Sequence, residues 1–230
     1  MREPTAAASP ERVRDAAIRL LQGVPAGRLL DVPCGTGLLA AALAARGFDV
    51  TGADTDPAPA RAAGVRAVAA DMEYALPFAD ASFDAVACVE GIEHVEGQRD
   101  LLRECARVLR PRGALVVTTP NVLGRPSRES LWRKGYARFF RPTPAGSPFP
   151  FEHAHRHPID VVRLDFLLRE AGLVPDAFDG DAGADAPSWR RRLLHRLAAS
   201  SLRRHNPRAD LLLEPAVFHS RVVAVRARKA

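Results

Sequence analysis

Four acidic residues in the first 90 positions each follow a short apolar segment. They are Asp31, Asp54, Asp71 and Glu90, and the segments before them are typical of buried strands. The carboxyl ends of parallel strands meet at one edge of a sheet, where ligands bind. Four carboxylates at such an edge are poorly suited to a structural core and well suited to a pocket. We therefore expect these residues to line a ligand site.

A glycine turn follows the first of these acids. The stretch Leu29-Leu30-Asp31-Val32-Pro33-Cys34-Gly35-Thr36-Gly37 predicts a strand that breaks into a turn, and the apolar run 38–45 predicts the helix that follows. Such a turn directs backbone N–H groups and a helix N-terminus at a ligand. Its glycines allow the ligand to approach the main chain closely. The pattern indicates a nucleotide-like ligand.

The class of nucleotide depends on Asp31. Gly35-x-Gly37-x-x-Ala40, with Asp54 further on, satisfies the loose dinucleotide pattern and keeps an NAD-dependent oxidoreductase as an alternative. A carboxylate directly before the turn would repel a pyrophosphate. It suits a ligand with an ammonium group, and S-adenosylmethionine carries one together with a sulfonium and no phosphate.

Residues 30–37 resemble motif I of the class I S-adenosylmethionine-dependent methyltransferases, in which glycine usually stands at the position of Pro33. The resemblance covers residues 27–121 and continues, in order, through Asp54, Asp71, Leu76-Pro77-Phe78, Phe83-Asp84, Glu90-Gly91-Ile92-Glu93-His94-Val95, Val108-Leu109-Arg110-Pro111-Arg112-Gly113 and Thr119-Pro120-Asn121. It implies an α/β fold with a Rossmann-like, doubly wound sheet of about seven strands, the last antiparallel, and helices on both faces.

The resemblance also implies roles for single residues. Asp31 should meet the methionine ammonium, Asp54 both ribose hydroxyls, and Asp71 the adenine amine, with the Met72 backbone beside it. The alternative is that these are strand-end or capping acids. The full predicted cofactor set is Asp31, Pro33, Cys34, Gly35, Gly37, Asp54, Thr55, Asp71, Met72 and Glu90.

His94 is the candidate catalytic base, because its position follows strand four and its ordinary pKa suits proton removal near neutrality. A structural or substrate-shaping role is the alternative. Glu90-x-x-Glu93-His94 also resembles the metal-binding segment of ubiquinone-pathway and small-RNA 2′-O-methyltransferases, where the ion is commonly magnesium. His153, His155 or His157 could add a fourth ligand. The same pattern occurs in relatives without a metal, so S-adenosylmethionine is the expected cofactor and Mg²⁺ the less favoured addition.

The periodicity of the chain predicts a single domain, residues 1–230. It comprises an N-terminal helix (1–25), a cofactor-binding core (26–121), a substrate lid loop (122–157) and a C-terminal part (158–230) with a basic amphipathic insertion (187–208). The predicted later strands are 50–53, 65–69, 83–89, 114–119, 173–178 and 217–226, and the resemblance implies that the last of them lies between strands five and six. The predicted helices after the first are 38–46, 57–63, 98–109, 159–171 and 189–204.

Charge is concentrated near the C-terminus. The net charge is +6, and residues 181–230 hold 11 basic and 4 acidic side chains. The helix 189–204 has the pattern of a basic helix on an anionic membrane surface, and equally of a helix docked on the domain, which we favour. The basic and aromatic stretch 132–141 could contact nucleic acid, lipid head groups or acidic substrates, but a short helix that packs its aromatic side chains on the sheet edge is favoured.

The resemblance is closest to the broad small-molecule group that includes the ubiquinone- and menaquinone-pathway enzymes. It implies an enzyme that methylates a small-molecule or lipid-linked acceptor on oxygen, with carbon or nitrogen the less favoured atoms. A catalytically silent S-adenosylmethionine-binding protein, an RNA 2′-O-methyltransferase and an NAD-dependent oxidoreductase are the alternatives, and nucleic acid is not the favoured partner. Three cysteines without framework spacing, and an N-terminus without a secretory pattern, indicate the cytoplasm. The oligomeric state stays open.

Overall fold

The computed structural model describes residues 10–181 and 189–230. Its helices are α1 (Pro10–Leu21), α2 (Leu38–Ala44), α3 (Ala58–Ala62), α4 (Gln98–Val108), α5 (Arg125–Lys134), α6 (Val161–Glu170), α7 (Trp189–His205), α8 (Ala209–Leu213) and α9 (Pro215–His219). Its strands are β1 (Arg28–Asp31), β2 (Asp49–Asp54), β3 (Ala67–Ala69), β4 (Phe83–Val89), β5 (Leu109–Pro120), β6 (Leu173–Gly180) and β7 (Val222–Lys229). The predicted cap at Ser9 lies outside the described residues.

All seven of these strands form one sheet in the order β3-β2-β1-β4-β5-β7-β6. The pairs from β3 to β5 are parallel, whereas β7 runs antiparallel to both β5 and β6. This confirms the predicted Rossmann-like sheet and the insertion of the last strand between strands five and six. The parallel strands end at one edge, which brings the acidic residues that follow them together.

Helices cover both faces of the sheet. Leu29 and Leu30 are adjacent on β1 and fully buried, yet they belong to different apolar clusters, because successive side chains on a strand point to opposite faces. One cluster includes residues of α4 and α6, and the other includes residues of α1 and α2. Burial on both faces explains why β4 is an unbroken apolar run from Ala85 to Cys88.

The bounds of the last strand were predicted wrongly. Residues 217–219 belong to α9, and β7 begins only at Val222. Pro215 is the first residue of α9, where its missing N–H costs no helical hydrogen bond. Val217 and Phe218 are buried. An apolar run of this kind is compatible with either a strand or a short helix, which is why the sequence pattern misled.

The segment predicted as a lid, 122–157, contains α5, an isolated bridge between Pro142 and Phe151, and a short 3₁₀ turn at Glu152–Ala154. The helix predicted for the stretch 132–141 is wrong for most of its length, because α5 ends at Lys134 and residues 135–141 are not helical. The predicted packing holds for part of the aromatic set: Trp132 is 88% exposed, whereas Phe140 is buried and Phe139 packs against the cluster of Val13 and Val222, the latter on β7. That this segment covers an acceptor stays a prediction.

The basic helix α7 is docked on the domain. Ala198, Ala199 and Leu202 pack against Ala209, Leu213 and Phe218. The ring of His195 lies 2.6 Å, through Nε2, from the carbonyl oxygen of Leu213. In the described part of the chain, no helix is both long and apolar enough to cross a membrane.

Candidate active site

A cavity of about 320 Å³ opens where β1, β2 and β3 end. Its lining consists of Pro33, Asp54, Thr55, Ala70, Asp71, Met72, Glu73, His94, Val95, Ala154 and Arg156. The predicted site residues Pro33, Asp54, Thr55, Asp71, Met72 and His94 are all among them. The structure thus joins residues from three strand ends and from the segment after α5 around one space.

Asp54 holds the glycine turn against the end of β2. Its Oδ2 accepts a hydrogen bond from the Gly35 N–H at 2.8 Å, and its Oδ1 accepts one from the Asp56 N–H at 3.2 Å. The backbone at Gly35 has a φ of +49°, and no heavy atom lies within 4 Å of the point where a Cβ would stand. The turn therefore presents bare, accessible main chain beside a fixed carboxylate.

Gly37 meets a different requirement. Its φ is +79°, and a Cβ there would lie 2.8 Å from Cγ2 of Val65 and 3.3 Å from Cα of Ala60. Glycine is required both by the left-handed backbone and by the close packing of the turn against α3 and against Val65, which follows α3. The start of α2 is thereby kept beside the cavity.

Asp31 is the most unusual group at this edge. It is 1% exposed, and neither carboxylate oxygen accepts a well-formed hydrogen bond from the described residues. Burial raises the pKa of Asp31 to about 8, the Ala40 amide opposes this shift, and the Asp54 charge adds to it. A buried carboxylate without a partner is costly on its own. It fits a cationic ligand group.

The cysteine of the turn points away from the cavity. Cys34 is buried and packs its Sγ so close to β2 that a Cβ on Gly52 would lie 2.8 Å from it. Burial raises the pKa of the Cys34 thiol to about 11, so it is a packed, protonated side chain. The contact of Cys34 with the cofactor stays a prediction, and only its backbone is available for it.

Asp71 and Met72 lie on the wall after β3. The Oδ1 of Asp71 accepts a hydrogen bond from the Glu73 N–H at 3.0 Å, which orients the carboxylate, and the side chain is exposed. Met72 is half-buried in the same wall. The outer oxygen of Asp71 can therefore meet a hydrogen-bond donor in the cavity.

Two glutamates follow β4 in different environments. The Thr118 hydroxyl donates to Oε1 of Glu90 and accepts from its N–H, both at 2.9 Å. Burial raises the pKa of Glu90 to about 7, against the lowering effect of the Thr118 hydrogen bond. Glu93 is fully buried, and neither of its oxygens forms a well-placed hydrogen bond with a described residue. Burial, and then the charge of Glu90, raise its pKa well above the ordinary value.

Glu93, His94 and His155 form a compact cluster. Each offers one potential ligand atom, and these three atoms lie within 4.8 Å of one another. His94 Nδ1 lies 3.2 Å from the Ala154 carbonyl oxygen, and His155 Nδ1 lies 3.1 Å from that of Phe139. A carbonyl only accepts, so each Nδ1 carries the proton and each Nε2 keeps its lone pair.

The electrostatics of this cluster fit a divalent cation. Burial lowers the pKa of His94, and burial lowers that of His155 to about 4, so both rings are neutral near pH 7. Neutral imidazoles whose other nitrogen donates to a carbonyl, beside the buried Glu93 carboxylate, are a suitable donor set for a metal ion. Glu90 is not part of this cluster, although the sequence pattern had grouped it with Glu93 and His94.

Sequence comparison identifies the family. Residues 30–117 match the family model described as "Methyltransferase domain". The ubiquinone biosynthesis O-methyltransferase of Xanthomonas axonopodis pv. citri is 32% identical over 200 residues, which cover 83% of this chain and 78% of that enzyme. The chain belongs to the class I S-adenosylmethionine-dependent methyltransferases. The enzyme of the same description from Alkalilimnicola ehrlichii is 37% identical over 116 residues, so this alignment spans about half the length of each protein (46% and 47%).

Solved structures show the same methyltransferase fold. An S-adenosylmethionine-dependent methyltransferase from Archaeoglobus fulgidus has a TM-score of 0.62 at 19% identity, covering 96% of this chain and 95% of that one. The 1,6-didemethyltoxoflavin-N1-methyltransferase of Burkholderia thailandensis, bound to its substrate and S-adenosylhomocysteine, has a TM-score of 0.59 at 19% identity, covering 96% and 80%. These likenesses concern the fold.

The residues of this methyltransferase fit the cofactor of the family. The Asp31 carboxylate, which has no well-formed hydrogen bond within 10–181 and 189–230, suits an ammonium group, and the main chain at Gly35 is open to a ligand. Asp54 and Asp71 line the cavity with oxygens that can accept from hydroxyl and amine donors. The individual contacts are predictions.

Sequence reasoning missed the second wall of the cavity. Ala154 and Arg156 line it, although they lie some sixty residues beyond His94 in the chain. No strand end or glycine turn marks them. The run His153-x-His155-x-His157 was the only signal nearby, and the structure places just His155 of these three in the cluster with Glu93 and His94.

Proposed function

We propose that this methyltransferase transfers a methyl group from S-adenosylmethionine to a hydroxyl oxygen of a small-molecule or lipid-linked acceptor. The observation that carries the proposal is the cluster of Glu93, His94 and His155, which adjoins the cofactor cavity through His94. An alcohol or phenol must lose a proton as its oxygen is methylated, and this cluster offers basic atoms for that step. The O-methyltransferases to which this chain is similar support the same chemistry.

The cofactor residues hold the donor. Asp31 binds the ammonium, Asp54 the ribose hydroxyls and Asp71 the adenine amine, while Gly35 and Gly37 let the main chain approach. When bound, S-adenosylmethionine supplies a methyl group activated by a sulfonium. Fixing donor and acceptor at attack distance can contribute up to ~7–11 kcal/mol of the barrier reduction. Binding therefore accounts for much of the catalysis.

His94 is positioned to remove the acceptor proton. Its Nδ1–H is held by the Ala154 carbonyl, so the lone pair on Nε2 is available, and its lowered pKa keeps the ring neutral. The acceptor oxygen bonds to the methyl carbon as the carbon–sulfur bond breaks, and the hydroxyl proton passes to Nε2 of His94. General bases of this kind contribute roughly 10²–10⁴ in rate.

The same cluster supports a metal-assisted version as a second candidate. Glu93, His94 and His155 would hold the ion, and a divalent cation there would lower the pKa of an acceptor hydroxyl. His94 cannot then serve as the base, so the two mechanisms are exclusive. Protein treated with EDTA decides between them: methylation at the full rate excludes the metal, and loss of activity restored by Mg²⁺ or Mn²⁺ excludes His94 as the base.

The test of the donor site is calorimetric titration of S-adenosylmethionine and of NADH against the wild type and Asp54→Ala. We expect micromolar binding of S-adenosylmethionine that is lost in the variant. Binding of NADH alone would contradict the proposal. The acceptor is then sought with labelled S-adenosylmethionine and panels of phenols, alcohols, amines and RNA. Transfer to RNA alone, or binding without transfer to any of these, would favour the RNA methyltransferase or the silent binding protein.

We also propose that any contact with an anionic membrane through residues 189–204 is electrostatic. The apolar residues Ala198 and Leu202 pack against the domain, whereas Arg196, Arg203 and Arg204 are exposed. Co-sedimentation with phosphatidylglycerol vesicles should then occur at low salt and disappear at high salt, where surface charges are screened. Binding that persists at high salt would contradict this.

A further inference from the structure

We infer that Arg156 is a further cofactor-binding residue, which closes the cavity over the adenosyl part of S-adenosylmethionine. Arg156 lies on the wall that sequence reasoning missed, in the same cavity as Asp54, Asp71 and Met72. Arg156 belongs to the C-terminal end of the predicted lid segment, 122–157. Three features of the surroundings of Arg156 support this role.

The first feature is that the backbone of Arg156 is anchored. Its N–H and that of His157 both donate to the carbonyl oxygen of Glu93, at 3.2 and 2.9 Å. Nε2 of Gln98 donates to the His157 carbonyl at 2.8 Å and to that of Ile92 at 3.2 Å. These bonds tie the segment to the turn after β4, so the Arg156 side chain starts from a fixed point at the cavity wall.

The second feature is the platform beneath the guanidinium. The Arg156 Cζ lies 4.7 Å from the centroid of the Phe149 ring. Apart from this ring contact, the Arg156 side chain forms neither an ion pair nor a hydrogen bond with any residue in ranges 10–181 and 189–230. A planar guanidinium with one face on an aromatic ring can stack its other face on a second π-system.

The third feature is the chemistry of the rest of the cavity. The other charged residues of the lining are the acids Asp54, Asp71 and Glu73, which can accept hydrogen bonds but offer no surface for stacking. His94, the other planar side chain of the lining, lies on the same wall as Arg156. The adenine ring of the cofactor presents such a surface. Arg156 supplies the planar group that the acidic wall lacks.

The experiment measures the binding of three ligands to Arg156→Ala by calorimetry. S-adenosylmethionine, S-adenosylhomocysteine and 5′-deoxy-5′-methylthioadenosine share the adenosyl group, but the third lacks the amino-acid part. We expect the Kd of all three to rise by a similar factor, about 3- to 30-fold. Arg163→Ala is the matched control, because Arg163 is exposed on α6 with no ion pair to a described residue. It should leave every Kd unchanged.

Two further variants separate stacking from charge and from folding. Arg156→Lys keeps the charge without the planar group and should lose most of the same affinity. Phe149→Ala removes the platform, and its effect on methylthioadenosine binding should be less than additive with that of Arg156→Ala. The melting temperature of each cofactor-free variant reports on folding.

Two outcomes would overturn the inference. They are an unchanged Kd for all three ligands and a loss confined to the two ligands with an amino-acid part. Each is independent of which acceptor the enzyme methylates, so failure here leaves the proposed O-methylation untouched. If no acceptor is found for the enzyme, the three Kd values still test the role of Arg156.

Discussion

Replacing Asp31 with asparagine should stabilise the cofactor-free protein and weaken its cofactor binding at the same time. The carboxyl is buried without a well-formed hydrogen bond, and burial raises its pKa to about 8 from an ordinary 3.8. Asparagine has nearly the same shape and no proton to lose. The substitution therefore removes the cost of ionising a buried acid, and with it the anionic partner of the cofactor ammonium.

The magnitude follows from the proton balance of folding. Below about pH 4 the Asp31 carboxyl is protonated in the folded and the unfolded chain. Between about pH 4 and pH 8 the unfolded chain has lost this proton and the folded chain keeps it, so stability falls as the pH rises. Each pH unit costs about 1.4 kcal/mol, so the step from pH 5.5 to 7.5 costs about 3 kcal/mol. For a chain of this size that is roughly 6–12 °C in Tm.

The assay is thermal and urea unfolding of wild type and Asp31→Asn at pH 5.5, 6.5 and 7.5, with calorimetry of S-adenosylmethionine at pH 7.5. The variant should lose the part of the pH dependence that Asp31 contributes, and its Kd should rise about 10- to 100-fold, because a charge-assisted hydrogen bond contributes about 1.5–3 kcal/mol. Asp100→Asn, at an exposed position on α4, is the surface control. An unchanged pH dependence together with an unchanged Kd would refute the reasoning.

Three other substitutions test separate parts of the structure. Gly37→Ala should abolish most cofactor binding and lower the free energy of unfolding by about 1–3 kcal/mol. Gly135→Ala is its control, because Gly135 has the same φ of +79° but no atom within 4 Å of its Cβ position; it should cost about 1 kcal/mol of stability and leave the Kd unchanged. Equal effects of the two substitutions on binding would contradict this. If catalysis is metal-dependent, His155→Ala should remove the stimulation of methyl transfer by Mg²⁺ or Mn²⁺. His153→Ala, at an exposed position, should retain that stimulation. A His155→Ala variant that is still stimulated would exclude His155 as a metal ligand. Leu202→Ala should lower the urea midpoint, with a loss of about 1–2 kcal/mol in the free energy of unfolding, because the Leu202 side chain packs on α8 and α9. Leu193→Ala should leave the midpoint unchanged, because that side chain is 48% exposed. Equal midpoints for the two variants would mean that α7 does not dock.

The strand ends and the glycine turn were predictable because their signals are local. A short apolar segment followed by an acid indicates a buried strand and its end wherever it occurs. Asp54, Asp71 and Met72 could therefore be assigned to the cavity from residue type and order alone. The left-handed backbone at Gly37 is likewise a property of the turn itself. Signals of this kind need no knowledge of distant residues.

The catalytic cluster could be predicted only in part. The spacing of Glu90, Glu93 and His94 suggested one ligand set. The chain turns through the short 3₁₀ helix Ile92–His94, however, so the side chain of Glu90 points in a different direction from those of Glu93 and His94. Glu90 is bonded to Thr118 on the neighbouring strand β5, while Glu93 and His94 meet His155. The choice among His153, His155 and His157 also depended on the path of the segment after α5, which no periodicity records.

By itself, the sequence determined the class of the protein, the succession of strands and helices along the chain, and the acidic residues at the edge where the strands end. Hydrophobic burial follows a strand or helix period, and glycine is required where the main chain must turn or be approached, so both leave marks in the sequence. Only the tertiary structure decided that Asp31 has no well-formed hydrogen bond with the residues that are described, that His155 joins Glu93 and His94, and that Arg156 lines the cavity. Those facts depend on contacts between residues far apart in the chain, which arise when separate segments pack together.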